Sequence, residues 1–254
     1  QSAAVLLTSE GHARRLGVPA DRMVHWLGGG DAVEDPWWLS ERADFHASRA
    51  MARAYAGAFA EAKLQPEDVS FFDLYSCFPS AVEMGCDVLG VGLEEPRPLT
   101  VTGGLPYAGG PGNDYGTHAV AQLVAWLRAT PGTVGMTTGV GWYFTKHSAG
   151  LWGTLPPMDL PAAPPLPEPE PGERVAVAET AEGRGRIETY TVVHDREGEP
   201  NAGIVVGRLE DERRFLAFLE DDRDALLSLE AAEGVGRSGR VRPDGDVHRF
   251  TLDP

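Results

Sequence analysis

The sequence predicts a layered α/β domain with a largely buried sheet, followed by a small β-barrel domain of the oligonucleotide/oligosaccharide-binding (OB) kind. Three observations predict this. Strand and helix signals alternate over residues 1–155. Eight of the sixteen residues from Pro156 to Pro171 are proline, which neither a helix interior nor a central strand accommodates. After them come short β-like runs separated by turn clusters, with one late helix. The domains are therefore placed at 1–155 and 173–254, joined by a semi-rigid proline-rich linker over 156–172.

In the first domain, Ala3 to Thr8 reads as a buried strand and Ser9 to Leu16 as a short helix ending at Gly17. Val24 to Leu27 reads as a second strand closed by Gly28-Gly29-Gly30. A long helix is expected from about Ser40 to Ala62, rich in helix formers and free of proline, with Phe45, Ala52, Tyr55 and Phe59 near one face; Pro66 marks its stop. Val69 to Tyr75 reads as a strand, and Pro79 to Leu89 as a helix with proline in its first turn. Asn113 to Arg128 is a further helix, followed by strands at Thr133 to Thr138 and Gly141 to Thr145.

In the second domain, β runs are expected at Arg174 to Ala178, Arg186 to His194, Gly203 to Leu209 and Arg213 to Leu219. A helix over Asp222 to Glu233 and strands at Gly239 to Arg242 and Val247 to Leu252 complete the barrel.

The chain has 254 residues, 42% hydrophobic and 24% charged, enough for one large core or two smaller ones. Its formal net charge of −16 repels phosphate backbones and anionic headgroups, so neither nucleic acid nor a membrane surface is an expected partner. No run of 18 apolar residues and no signal-like leader is present, so the cytoplasm is the expected location. Cys77 and Cys86 do not make a disulfide framework or a metal spacing, and no metal is expected. Only Lys63 and Lys146 are lysine among 22 basic residues, a bias associated with GC-rich bacterial genomes. The opening run Gln1-Ser2-Ala3-Ala4-Val5-Leu6-Leu7 reads as the middle of something longer.

Three stretches carry residues suited to chemistry. Phe71-Phe72-Asp73-Leu74-Tyr75-Ser76-Cys77-Phe78-Pro79 runs from a strand into a helix, where open α/β sheets place ligands and helix N–H groups favour anions, so Tyr75 and Cys77 are candidates. The plain alternative is a small core cysteine beside a packed aromatic. The glycine-rich loop from Thr102 to His118 opens a helix, but it has neither the Gly-Lys-Ser/Thr of a Walker loop nor the Rossmann spacing. Its glycines need only mean tight turns. In Gly139 to Gly150, His147 is a candidate base, whereas a dyad with Ser148 is disfavoured because neighbours on a strand face opposite ways.

Taken together, Asp73-Leu74-Tyr75-Ser76-Cys77-Phe78-Pro79, Gly103-Gly104-Leu105-Pro106-Tyr107 with Gly109-Gly110-Pro111-Gly112-Asn113, and Thr145-Lys146-His147-Ser148-Ala149-Gly150 resemble the C-terminal half of a thiolase. The nearest group is the thiolase-like or lipid-transfer-type proteins of the acetyl-CoA acetyltransferase family. The tail from Gly172, including Glu188-Thr189-Tyr190-Thr191-Val192-Val193-His194-Asp195, resembles the additional small C-terminal domain of thiolase-like proteins. The resemblance implies a layered α/β thiolase half with a mixed sheet, coenzyme A as part of an acyl-CoA substrate, and an N-terminal thiolase half as partner.

The resemblance also implies losses. The nucleophilic cysteine of thiolases belongs to the N-terminal half and is absent from this chain. The Gly-His-Pro base corresponds to Gly109-Gly110-Pro111, so hydrogen replaces the imidazole. The second cysteine corresponds to Thr138, and the oxyanion-hole residue to Tyr75, which would serve as an oxyanion donor or as the acid of an aldol-type cleavage. His118 and His147 are substitute bases, Cys77 is a further candidate, and Gly109, Gly110, Pro111 and Asn113 are the expected acyl-CoA contacts.

Three functions remain open at this point: half of an acyl-CoA-processing enzyme, whether thiolase-like or retro-aldolase-like; an acyl-CoA or lipid carrier or scaffold without chemistry; and an interaction module. Trp37-Trp38 and Trp142-Tyr143-Phe144 are the expected apolar face toward the partner.

Overall fold

A computed structural model describes residues 1–92, 94–110, 112–157, 166–167, 171–220 and 222–253. Most of the expected linker and Pro111 lie outside the described residues. The chain divides into two compact units, Gln1–Leu39 with Asp44–Pro171, and Ser40–Ala43 with Gly172–Pro254.

The first unit is built on a four-stranded sheet in the order β1-β4-β3-β2, with strands β1 (His25–Val33), β2 (Phe71–Asp73), β3 (Val134–Gly141) and β4 (Lys146–Gly153). β2 runs parallel to β3 and the other pairs are antiparallel, so the sheet is mixed. Its helices are α1 (Glu10–Arg15), α2 (Arg49–Ala62), α3 (Pro79–Leu89), the single turn α4 (Leu105–Ala108) and α5 (Tyr115–Ala129).

Met136 of β3 packs in one cluster with Met51, Tyr55 and Phe59 of α2 and Met84 and Leu89 of α3. Its neighbour Gly135 faces Leu123 of α5. Because neighbouring strand residues point to opposite faces, α2 and α3 cover one side of the sheet and α5 the other. Trp26 lies across Gly29 and Gly150 and meets Trp152 edge-on at 4.7 Å between ring centroids.

Several expectations are corrected. Ala3 to Thr8 forms no strand: no strand of the sheet pairs with it, and Leu6 and Leu7 are exposed. Gly28-Gly29-Gly30 does not close the second strand but lies inside β1, because α2 packs directly on it: a Cβ at Gly28 would stand 2.6 Å from the carbonyl oxygen of Ala58. α2 begins at Arg49 and not near Ser40, since Ser48 caps it by accepting from Met51 N–H at 2.9 Å. It stops at Lys63, whose φ of 56° is left-handed. The last hairpin is displaced as well: Trp142-Tyr143-Phe144 is its turn, with Trp142 and Phe144 at φ 55° and 60°, and the return strand starts at Lys146.

The second unit is a closed barrel in the order β5-β6-β7-β9-β8, from β5 (Gly183–His194), β6 (Pro200–Leu209), β7 (Arg214–Leu219), β8 (Ser238–Asp244) and β9 (Val247–Leu252). Helix α6 (Arg223–Ala231), capped by Asp222, lies between β7 and β8 in sequence, as expected for an OB-like barrel. Ile187, Val205, Phe215, Val241 and Phe250 fill the interior. The expected strand at Arg174 to Ala178 is reduced to isolated bridges, Arg42 with Arg174 and Val177 with Arg214. Among the described residues no helix is long and apolar enough to cross a membrane.

Candidate functional site

β2 and β3 run parallel, and a linked set of polar side chains lies at their carboxyl ends. Asp73, the last residue of β2, is fully buried. Its carboxylate accepts from Tyr115 Oη at 2.9 Å and from the N–H and Oγ1 of Thr102, both at 3.1 Å. Thr102 Oγ1 in turn lies 2.5 Å from Tyr115 Oη and accepts from Gly104 N–H at 3.0 Å. A single buried carboxylate thus ties the glycine-rich loop to the first turn of α5. Burial pushes its pKa up, against the opposing pull of these donors.

The loop leaving β2 is fixed on the same side. Tyr75 N–H donates to Thr138 Oγ1 at 2.9 Å, and Ser76 Oγ accepts from Leu105 N–H at 2.9 Å. Tyr75 is half-buried, its ring edge-on to Tyr115 at 5.4 Å between centroids. Burial raises its phenol pKa, with Cys77 adding a smaller upward push. A phenol is neutral at pH 7 even without this push, so the side chain is a hydrogen-bond donor and not a phenolate. Burial raises the Cys77 thiol too, despite nearby backbone N–H groups, so it stays protonated at neutral pH and is a poor nucleophile.

The two histidines separate. His118, one turn along α5 from Tyr115, has Nε2 3.3 Å from Asp114 Oδ2. His147 is buried at the start of α2, with Nε2 3.2 Å from Ser48 Oγ and 4.0 Å from Glu34 Oε1, and its ring edge-on to Phe144. Ser48 also donates to Glu34. The hydroxyl that caps α2 is thus committed to Glu34 and Met51, and it has the arrangement of a helix-start network more than of a nucleophile.

In the glycine-rich loop, Gly109 has φ 89°, while Gly110 and Asn113 are exposed. A Cβ at Gly110 would meet only Leu105 Cδ2, at 3.7 Å, so crowding does not dictate glycine there. From Thr102 to His118 the loop contains no lysine or arginine. Among the described residues no cluster of three or more His, Cys, Asp or Glu is arranged to hold a metal. The structure adds Asp73, Thr102 and Tyr115, which the sequence reading did not single out. The available signal was an acidic residue in the otherwise apolar run Phe71-Phe72-Asp73-Leu74.

Residues 166–246 match the family model of the thiolase-like protein type 1 additional C-terminal domain. A monomeric SCP2-thiolase-like protein type 1 from Mycobacterium smegmatis is 38% identical over 95% of this chain, with a TM-score of 0.83. The chain belongs to the thiolase-like proteins. It spans 53% of that relative's length. The peroxisomal 3-ketoacyl-CoA thiolase of Saccharomyces cerevisiae superposes with a TM-score of only 0.44 at 18% identity, covering 56% of this chain and 36% of that one, too little to argue from. No curated protein matches the sequence. The arrangement gathers Tyr75, Ser76, Thr102 and Tyr115 at the end of the parallel strand pair.

Proposed function

We propose that this chain is the CoA-thioester-handling half of a thiolase-superfamily acyl-CoA protein, completed by an N-terminal thiolase half, and that Tyr75 donates its phenol hydrogen bond to the thioester or carbonyl oxygen of the acyl group. The observation that carries the reading is the placement of Tyr75: half-buried, fixed at its backbone by Thr138 and edge-on to Tyr115, its phenol a neutral donor at pH 7 as phenols ordinarily are. A neutral donor held in place before the substrate arrives is what stabilises a developing oxyanion. The upward push of burial on its pKa makes the phenol a poor general acid, which weighs against the retro-aldol version of the reading. The cation-free glycine-rich loop suits the acyl and pantetheine end of an acyl-CoA, and the nucleotide phosphates would be met elsewhere.

The partner half fits a cluster of exposed aromatics. Trp38, Tyr143 and Trp142, the last 72% exposed, adjoin one another, with ring centroids 6.0 Å apart for the first pair and 6.3 Å for the second. Lys146 lies over Trp37 and Trp142. The relative of about twice this length is monomeric, so a chain of that length needs no second copy. An N-terminal half is the occupant proposed for this face.

The test compares the protein, joined to its N-terminal half, with its Tyr75→Phe variant on acetoacetyl-CoA. The reading expects a fall of roughly 100- to 1,000-fold in kcat, the usual effect of deleting an oxyanion donor. Equal rates sink it. A second reading, acyl-CoA binding without transfer, is favoured by Gly110 and Thr138 standing where a base and a cysteine are expected, and by the protonated Cys77. In that case acetyl-CoA binds without turnover, and Tyr75→Phe weakens binding by about tenfold, the net worth of one hydrogen bond.

A further inference from the structure

The small barrel has an unusual member. Ser40–Ala43 lies between β1 and α2 in the chain yet belongs to the second unit, while its flanks, ending at Leu39 and resuming at Asp44, belong to the first. We infer that the barrel acts as a clasp on this strap, and that the guanidinium of Arg214 is the pin.

Arg214 opens β7 and is 0% exposed. Its Nε and Nη2 donate to the two carboxylate oxygens of Glu188, each at 2.7 Å. The remaining Nη1 donates to the carbonyl oxygens of Ser40 and Arg42, again at 2.7 Å each. Arg208 approaches the same carboxylate, with Nε at 3.0 Å and Nη2 at 2.8 Å, so Glu188 carries two arginines. Burial alone would raise the Glu188 pKa, but the two guanidinium groups outweigh it and hold the carboxyl below its ordinary range.

The fork geometry matters, because one planar guanidinium serves a barrel carboxylate with one edge and two strap carbonyls with the other. The strap is further stitched by Val175 N–H donating to the Glu41 carbonyl at 2.8 Å and by the Arg174–Glu41 ion pair. Arg214's own backbone continues the layer: its N–H donates to Ala176 and its carbonyl accepts from Ala178, both at 2.8 Å.

The physical consequence is directional. A buried guanidinium stripped of acceptors is costly, so the strap carbonyls stabilise the barrel, and the barrel by the same bonds fixes the strap. The strap leads from Trp37-Trp38 toward Ser48, the cap of α2. By these bonds the additional domain restrains the strap itself.

Trypsin gives the test, since Arg42 is buried in the strap whereas Arg15 is exposed. In the unmutated full chain, cleavage after Arg42 is expected to be at least 100-fold slower than after Arg15; comparable rates overturn the inference without any variant being made. In Arg214→Ala, cleavage after Arg42 should accelerate at least tenfold while hydrogen exchange of the β5 and β6 amides is unchanged. A rate within twofold of the parent, with the barrel still folded, overturns it. Should Arg214→Ala unfold the barrel, Arg214→Lys keeps the buried charge without the fork. A tenfold faster cut there supports the clasp, and a parental rate refutes it.

Discussion

Gly28→Ala tests the packing on which the first unit rests. A Cβ at Gly28 would stand 2.6 Å from the Ala58 carbonyl oxygen, 2.6 Å from the Ala62 nitrogen and 3.0 Å from the Ala62 Cβ. Two of the three are helix backbone atoms that cannot rotate away, so α2 must retreat by roughly half an ångström or more to reach ordinary contact. That displaces Met51, Tyr55 and Phe59 from the core they share with Met136 and Leu151. Overpacking of this kind costs about 1–3 kcal/mol. The lost freedom of the unfolded chain returns at most about 1 kcal/mol, leaving a net destabilisation of about 1 kcal/mol. For a domain of this size the expected fall in Tm is about 2–4 °C. All six tryptophans belong to the first unit, so their fluorescence follows its melting without the barrel. Gly116→Ala is the control: it lies in α5 with nothing within 4 Å of a new Cβ, and the gain in helix propensity should raise Tm by a few degrees. A Gly28→Ala Tm equal to or above the parent's would refute the close-approach argument.

Three further outcomes follow from the charges and caps. Glu95 is held down to about 2 by Arg97, so its contribution is present above its unfolded value of 4.5 and disappears as pH falls from there toward 2. The deficit of Arg97→Ala in urea melts should therefore shrink on acidification through that window, leaving the pH-independent bonds of Arg97 to the Pro66 and Val69 carbonyls. Asp73 has the opposite sign: its folded pKa is raised above 3.8, so the native state binds the extra proton and stability falls as pH rises through the window above that value. The parent's advantage over Asp73→Asn should be larger near pH 4 than at pH 7, and a constant gap would contradict the assignment. Ser48→Ala removes the cap of α2 together with partners of Glu34 and His147, and should cost about 1–2 kcal/mol in the same melts.

Element types were legible where local rules act alone. Pro79 at the first turn gave α3 its start, and the turn clusters together with the late helix after Asp222 were enough for the barrel. Misreadings arose where tertiary packing decides. Gly28-Gly29-Gly30 has the composition of a turn but the role of a groove for α2, visible only once the helix is placed. The run Glu41 to Ala47 is helix-like in composition, yet part of it is taken up by the second unit. The aromatic run after Gly141 reads as strand, whereas Trp142 and Phe144 sit in left-handed turn positions. At the site, Tyr75 stood out by position, but Asp73, Thr102 and Tyr115 lie 13 to 42 residues apart and converge only through folding.

Among the described residues around Tyr75, neither Cys77 nor Asp73 is set up as a proton acceptor. Tyr75 and Cys77 keep their protons, and both oxygens of Asp73 are engaged by Thr102 and Tyr115. Under the acyl-CoA reading, the carbonyl is polarised, while Tyr75, Cys77 and Asp73 do not withdraw a proton from the carbon beside it. If the absent imidazole is the reason, Gly110→His should supply it, because its Cβ meets only Leu105 at 3.7 Å and the position is exposed. The assay is deuterium uptake at the acetyl methyl of acetyl-CoA in D2O, with the N-terminal half present. The parent should exchange no faster than buffer, whereas Gly110→His should exchange measurably faster, with a rate that rises as the imidazole deprotonates, near pH 6.5. Rapid exchange by the parent would mean that His118 or the partner half already supplies the base, and it would return the reading to full acyl-CoA chemistry. Binding of acetyl-CoA by Gly110→His with no exchange would mean that the acyl carbon does not lie against this loop, which refutes the placement of the substrate beside Tyr75.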